Sequence, residues 1–408
     1  MDLTNKYIFD GLFGLERETL RVTSDGSLAS SPHPFADNKY LDRDFCENQL
    51  EIITPPCESI EKAMQNLREL DAYTRNELNQ RNELLWIYSN PPRIKNEDDI
   101  IIADFTGSER FKHDYRIKLE RRYGKRLMLY SGIHFNFSFS DKLLKSINSE
   151  AENYEEFKNS LYFRLSKQIF RYSWLLVMLT AASPVYDLSL YENDASGNGF
   201  DGNASMRGSE KGYWNKFIPI LDYSDLYSYI KSIQAYIENG SLFSEGELYL
   251  PMRLKPHGNN NLSSLKTNGV NHIELRMFDL NPLSPIGIFE EDLSFAHYFM
   301  IYLTQLPDFE FTPELQKTAV QNHRSASGYY LEDIKINGYP ASEAALGLLD
   351  DMALYFKNIP KVLENIELQK KKLLHNKRYC VLIYDMLHED YQEKMLEISK
   401  RQSDLIKK

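Results

Sequence analysis

An α+β fold is what this sequence predicts, and three observations carry the prediction. Four short segments alternate polar and apolar residues with period two, the pattern of half-buried strands. Long stretches between them repeat apolar residues at helical spacing, and from Phe289 onward the pattern is helical, broken at Pro307, Pro313, Gly338-Tyr339-Pro340 and Pro360. No internal repeat, linker or low-complexity tract divides the 408 residues. One domain spanning residues 1–408, with a mostly helical C-terminal portion from about residue 290, is therefore expected.

The first predicted strand is Leu15-Glu16-Arg17-Glu18-Thr19-Leu20-Arg21-Val22. Alternation sends Glu16 and Glu18 to one face, close enough to repel, so a positive group is expected between them. A turn at Ser24-Asp25-Gly26 and a loop with Pro32 and Pro34 lead to a second strand near Glu47 to Thr54, ended by Pro55-Pro56. Ser59 can cap a long helix whose face is Ile60, Ala63, Met64, Leu67 and Leu70, and a shorter helix from Phe111 to Tyr123 closes at Gly124. Met128 to Phe139 alternates most sharply, with Leu129, Ile133, Phe135, Phe137 and Phe139 on one side and Tyr130, His134, Asn136 and Ser138 on the other. A buried helix from about Glu155 to Ala182 follows, ended by Pro184. Residues 192–215 form a polar, glycine-rich loop, and helical patterning returns around Asp222 to Gly240. Two strands come next, one from Glu247 to Lys255, where Pro251 demands an edge or irregular position, and one from His272 to Phe278.

Net charge is −11, which argues against nucleic acid as the main partner, since phosphate backbones call for a concentrated basic surface. No apolar run approaches the roughly 18 residues of a membrane span. The first residues, Met1-Asp2-Leu3-Thr4-Asn5-Lys6-Tyr7, show no secretory signal, and cytoplasmic residence is expected. Cys46, Cys57 and Cys380 have no metal-type spacing and are expected to be reduced.

The strand faces collect Glu16 and Glu18; Asp44 with Glu47 and Glu51; His134 and Asn136; Tyr249 and Arg253; and Glu274 and Arg276. Carboxylates with a single imidazole suit Mg²⁺ or Mn²⁺, whereas zinc would recruit more histidine or cysteine. Magnesium in turn suggests phosphates. Each face taken singly also fits a solvated sheet surface with cross-strand ion pairs. Several such strands in one chain favour a polar cavity that holds cations and an anion together. Tyr249 reads as a pocket wall rather than an acid, because a phenol titrates near 10. Gly197-Asn198-Gly199-Phe200-Asp201-Gly202 matches a dinucleotide fingerprint literally, but a helix precedes it and more loop follows, so that reading is rejected. A mobile lid is expected there instead, with Arg207 a candidate phosphate contact.

At Phe13-Gly-Leu-Glu16-Arg-Glu18-Thr-Leu-Arg-Val22 the chain resembles bacterial-type glutamate–cysteine ligases. Further matching segments follow in the same order: Asp44-Phe45-x-Glu47-x-x-x-Glu51-x-Ile-Thr54-Pro55, Trp86, Gly132-x-His134-x-Asn136-Phe137-Ser138, Ala182-Ser183-Pro184, Ser205-x-Arg207-x-Ser209, and Ile273-Glu274-x-Arg276 through Gly287. The resemblance implies a fold related to the catalytic domain of glutamine synthetase: a curved, mainly antiparallel sheet forming a funnel-shaped active site, backed by helices. It also implies a reaction. ATP phosphorylates the γ-carboxylate of glutamate, and the amino group of cysteine displaces phosphate to give γ-glutamylcysteine, the first step of glutathione synthesis.

Carried over by position, Glu16, Glu18, Asp44, Glu51, His134 and Glu274 resemble the family's Mg²⁺ ligands. Arg253 resembles the arginine that recognises the glutamate substrate, and Arg276 the one near the transferring phosphate. Tyr115, Arg116, Tyr249 and Asn136 resemble residues around the substrates. Two other readings stay open. One is the same chemistry with a different amine, and the other a catalytically silent homologue that binds nucleotide.

Overall fold

In a computed structural model the structure describes residues 2–148, 153–193 and 195–405. Its strands are β1 (Gly11–Thr23), β2 (Leu41–Arg43), β3 (Gln49–Ile53), β4 (Glu83–Trp86), β5 (Gly132–Phe139), β6 (Tyr186–Asp187), β7 (Asn198–Gly199), β8 (Met252–Lys255), β9 (His272–Asp279), β10 (Lys335–Ile336) and β11 (Tyr339–Pro340). The main sheet is antiparallel and open, in the order β2-β3-β1-β5-β9-β8, with β4 also paired to β1. The α+β class and the helix-backed antiparallel sheet agree with expectation. Strand β1 spans 13 residues, long enough to pair with β3, β4 and β5.

The helices are α1 (Ile60–Asn79), α2 (Arg110–Tyr123), α3 (Asp141–Ile147), α4 (Tyr154–Thr180), α5 (Leu226–Glu238), α6 (Leu262–Asn268), α7 (Glu290–Gln305), α8 (Pro313–Ala326), α9 (Ala341–Tyr355), α10 (Pro360–Leu374), α11 (Tyr379–Leu387) and α12 (Tyr391–Asp404). Ser59 caps α1 by accepting from the Lys62 amide at 3.1 Å. Gly124 ends α2 with φ +79°, which a side chain would resist. No helix among the described residues is long and apolar enough to cross a membrane. The three cysteines are free and buried.

Several boundaries depart from the sequence reading. Strand β5 begins only at Gly132, because Leu127–Leu129 curl into a 3-10 turn. The strand expected from Glu47 starts at Gln49, and Glu47 lies in the preceding turn. Strand β8 covers only Met252–Lys255, at the sheet edge as Pro251 requires, while Glu245–Glu247 form a 3-10 turn. The glycine-rich loop does not hang as a lid. The Ala204 amide donates to the Ser327 carbonyl, the Met206 amide to that of Ser183, and the Ser205 hydroxyl to Asp279 at 3.0 Å. Of its fingerprint glycines only Gly199 lies in the β6-β7 ribbon, and no helix opens at Gly202 as the dinucleotide fingerprint requires.

The sheet's back face carries Leu15, Ile133, Phe135, Phe137, Ile273 and Leu275 into a core shared with α1, α4 and α7. Arg17 points there too. It is 0% exposed and pairs with Asp71 at 2.6 Å, and Asp71 also takes Arg75 at 2.7 Å. Farther along β1, buried Arg21 pairs with Glu83 of β4 at 2.6 Å. The C-terminal helices belong to the same body. The Tyr391 hydroxyl lies 2.9 and 2.8 Å from the carbonyl oxygens of Asn90 and Pro91, and Arg75 reaches Gln402 of α12 at 3.2 Å.

Removing Asp71 would leave two buried guanidinium groups without a counter-charge. Asp71→Ala is expected to cost about 3–5 kcal/mol of stability in urea unfolding, against less than about 1 kcal/mol for Lys95→Ala at the exposed Lys95–Asp25 pair. Equal effects at the two sites would contradict this assignment.

Candidate active site

Register puts the predicted residues together. Glu16 of β1 lies opposite His134 of β5, Glu18 opposite Glu51 of β3, and Glu274 of β9 opposite both Asn136 and Arg253 of β8. Alternation keeps these side chains on the front face, away from the helices. Between β5 and β9 the register shifts across Ile133 and Phe135, leaving Arg276 and Met277 of β9 over the single residue His134. This bulge aims Arg276 inward, with Nη1 3.4 Å from His134 Nδ1. The result is a cavity of about 200 Å³ lined by every predicted metal-ligating residue and by Tyr115, Arg116, Tyr249, Arg253 and Arg276.

The group between Glu16 and Glu18 is the ring of His134. Its Nδ1 is 3.1 Å from Glu16 Oε2, and its Nε2 is 3.5 Å from Glu18 Oε1. The ring does not supply the expected positive charge. Burial, reinforced by Arg276, pushes its pKa down to about 4, so it is neutral at pH 7. With Nδ1 donating to Glu16, the Nε2 lone pair faces a carboxylate oxygen, and Nε2 is buried without a hydrogen-bond partner. Two acceptors facing each other call for a proton or a cation between them.

Charge divides the cavity into two halves. Glu274, 0% exposed, is resisted by burial, but Lys255 Nζ at 3.1 Å and Arg276 Nη1 at 3.1 Å outweigh that and hold it well below the usual carboxylate range. On the other side, Glu18, Asp44 and Glu51 form no ion pair with lysine or arginine among the described residues. Burial and Asp44 raise Glu18 to about 8; burial raises Asp44; burial with the charges of Glu16, Asp44 and Glu18 raises Glu51 far more. Glu16, Glu51 and His134 bring ligand atoms within 4.8 Å of one another. A hard divalent cation fits this oxygen-rich set and the orphaned imidazole nitrogen.

The remaining side chains are placed as follows. Arg253 is held by the Leu248 and Gly246 carbonyls at 2.8 and 2.7 Å. Arg207 donates to the Arg276 carbonyl at 2.6 Å and packs on Gly132, where a β-carbon would meet its Cζ at 2.5 Å. The amide of the same glycine donates to Glu18 at 3.0 Å. Arg116 lines the cavity, but its nitrogens go to the carbonyls of Asp44, Arg43 and Lys112, so it anchors Asp44. Asn136 lies outside the lining and donates to Glu16 at 2.9 Å, which orients that acid. Burial pushes the Tyr249 phenol well up, in keeping with a wall. Glu47, grouped with Asp44 and Glu51 in the sequence, instead pairs with Arg43 at 2.5 Å and accepts from the Asp104 amide.

Sequence reasoning passed over Phe45, Leu119, Met128, Tyr213 and Lys255, which also line the cavity. Lys255 had a signal, two residues from Arg253 on the same strand face. The others come from a loop, a helix and a 3-10 turn, where no alternation points to a cavity.

The family model described as glutamate-cysteine ligase matches residues 2–244 and 239–326. The glutathione biosynthesis bifunctional protein GshAB of Listeria monocytogenes serovar 1/2a is 38% identical over 395 residues, covering 91% of this chain and 51% of that protein. The protein of the same name from Clostridium perfringens is 36% identical over 334 residues, covering 78% and 43%. The chain thus spans about half the length of the curated relatives it matches. The crystal structure of a glutamate–cysteine ligase from Francisella tularensis in complex with AMP superposes with a TM-score of 0.87 at 28% identity, covering 97% of this chain and 89% of that one. A bifunctional glutathione synthetase from Pasteurella multocida gives a TM-score of 0.86 at 25% identity, covering 98% and 53%.

The raised acids carry a signed pH dependence. Glu18 binds its proton more tightly folded, at about 8, than at its ordinary 4.5, and Asp44 and Glu51 share the sign. Without divalent cations, stability therefore falls as pH rises toward 8. Buried His134 and half-buried His33 and His272, each near 4, with buried His297 and His323 near 3, add the opposite slope only below about 6.5. The thermal midpoint of cation-free protein is expected to drop between pH 6.5 and 8, Glu51→Gln to flatten that drop, and Mg²⁺ to raise the midpoint most at pH 8. A flat profile, or no Mg²⁺ response at pH 8, would remove the cation reading.

Proposed function

The chain belongs to the glutamate–cysteine ligase family, and on that premise we propose that it uses ATP to join the γ-carboxylate of glutamate to the amino group of cysteine, giving γ-glutamylcysteine, ADP and phosphate. The observation that carries this reading is one cavity with buried Glu18 and half-buried Glu16, Asp44 and Glu51, none paired to lysine or arginine among the described residues, on one side and Lys255, Arg253 and Arg276 on the other. Phosphoryl transfer asks for charge neutralisation and positioning rather than a protein nucleophile, which is what such a cavity offers. The same reading treats residues 1–408 as one catalytic unit, in line with the C-terminal helices' bonds to Asn90, Pro91 and Arg75.

The γ-phosphoryl group passes to an oxygen of the glutamate γ-carboxylate and ADP leaves. The amine nitrogen then attacks the acyl carbon, the carbon–oxygen bond to phosphate breaks, and the nitrogen's proton goes to phosphate or water. Arg253, held by two backbone carbonyls, receives glutamate. Arg276, aimed by the bulge, faces the transferring phosphoryl oxygens, and Arg207 supports it through its carbonyl. A divalent cation, Mg²⁺ or Mn²⁺, held by Glu16, Glu18, Asp44, Glu51, His134 and Glu274 would neutralise phosphate oxygens. The mixed wall of Phe45, Leu119, Met128, Tyr115, Tyr213 and Tyr249 suits an amine with a small, polarisable side chain, as in cysteine. ATP and a free thiol substrate suit a reducing, nucleotide-rich compartment such as the cytoplasm.

Purified protein given ATP, Mg²⁺ and glutamate is expected to release ADP when an amine is added, and most efficiently with cysteine. No response to any amine would sink the ligase reading, and a much better amine would replace cysteine alone. Glu16→Gln and Arg276→Lys should each lower kcat by about 10²–10³-fold without changing the circular dichroism, the second because a guanidinium fork is lost. Wild-type rates in Glu16→Gln would move the cation site elsewhere.

A further inference from the structure

Helix α2 forms one wall of the cavity with Tyr115 and Leu119, yet Leu119 is its only fully buried residue. A helix with so little apolar burial must be held by polar contacts. At its C-terminal end Arg122 donates to the Ser241 and Gly240 carbonyls at 2.6 and 3.0 Å, and Arg122 and Tyr123 both reach one carboxylate outside the cavity lining. Glu247 is 0% exposed, and its Oε1 accepts from Arg122 Nη1 at 2.5 Å and from the Tyr123 hydroxyl at 2.8 Å. Oε2 accepts from the Phe243 amide at 2.5 Å. The Glu247 carbonyl takes the Asn215 side-chain amide at 2.7 Å, and Asn215 in turn accepts from the Tyr249 amide at 2.9 Å. Tyr249 meets the ring of Tyr123 at 5.5 Å and that of Tyr213 at 4.3 Å. One carboxylate thereby joins two walls of the cavity, α2 and the segment bearing Tyr249.

We infer that Glu247 is a positioning residue that sets the amine-side wall and so the enzyme's affinity for its amine. The inference rests on the ligase reading. The same turn also holds Arg253, but through the carbonyls of Gly246 and Leu248, so loss of the carboxylate leaves the glutamate contact in place. The two substrates therefore separate.

Glu247→Gln keeps the side chain's volume and turns one acceptor oxygen into a donor facing another donor. Steady-state kinetics should show the KM for the amine at least tenfold higher, with the KM for glutamate within twofold. Hydrogen–deuterium exchange without substrates should show the amides of residues 110–123 exchanging at least tenfold faster, with β1 and β5 unchanged. Both KM values rising together, or neither moving, would overturn the proposal, as would unchanged exchange in α2. Should Glu247→Gln fail to fold, Tyr123→Phe removes a single bond to the same carboxylate and should raise the amine KM about threefold; no rise would count against the latch. A wild-type protein inactive with every amine would refute the ligase reading, and the latch would then stand or fall on the exchange of 110–123 alone.

Discussion

Four acidic side chains are crowded into one narrow cavity, Glu18 fully buried and Glu16, Asp44 and Glu51 half-buried, and the rest of the front face is arranged around the cost of ionising them together. Glu18 faces Glu51 across β1 and β3, with Glu16 and Asp44 adjoining and no lysine or arginine paired to the set among the described residues. Such a cluster opens unless the backbone beneath it is rigid. Rigidity comes from the other side of β1. The alternation that sends Glu16 and Glu18 forward sends Arg17 and Arg21 back, into buried pairs with Asp71 and Glu83 that tie the strand to α1 and β4. Those pairs are expensive to desolvate and costly to break, which suits a strand that must not yield.

Asymmetry across the cavity follows from which strand supplies each cation. Strands β8 and β9 bring Lys255 and Arg276 onto Glu274 and hold its pKa down; among the described residues no lysine or arginine pairs with Glu18 or Glu51, and both bind a proton more tightly than a free carboxyl does. His134 sits on the boundary. Its neutral ring satisfies Glu16 through one nitrogen and leaves the other turned toward Glu18. A site in this condition is poised for a cation on one side and an anion on the other. Gly132 allows it locally, being the only residue type that lets the Arg207 guanidinium lie on the backbone whose amide caps Glu18.

Much of the active face was legible because a strand's period is short and strict. Once Leu15 to Val22, Ile133 to Phe139 and His272 to Phe278 are strands, the side on which Glu16, Glu18, His134, Asn136, Glu274 and Arg276 lie is no longer free. Glu47 misled for the same reason. It shares parity with Glu51, but the chain turns before Gln49, and parity has no meaning across a turn. Arg116 and Asn136 were found in the right neighbourhood, yet their donors serve Asp44, Arg43 and Glu16, a matter of which acceptor lies nearest in space.

The sequence by itself determined the α+β class, the acids and arginines of the front face and, through the ordered motifs, the family, since each depends on local periodicity or residue identity. Tertiary structure alone decided the rest. That Lys255 and Arg276 neutralise Glu274 and not Glu51, that a bulge turns Arg276 over His134, that the glycine-rich loop is fastened to Ser183 and Ser327, and that Glu247 ties α2 to Tyr249 are outcomes of strand order and packing. Apart from the Glu274–Arg276 pair, two residues apart on one strand face, they join residues from about twenty to more than a hundred positions apart, and no local pattern in a chain encodes which distant partner will lie within a few ångströms.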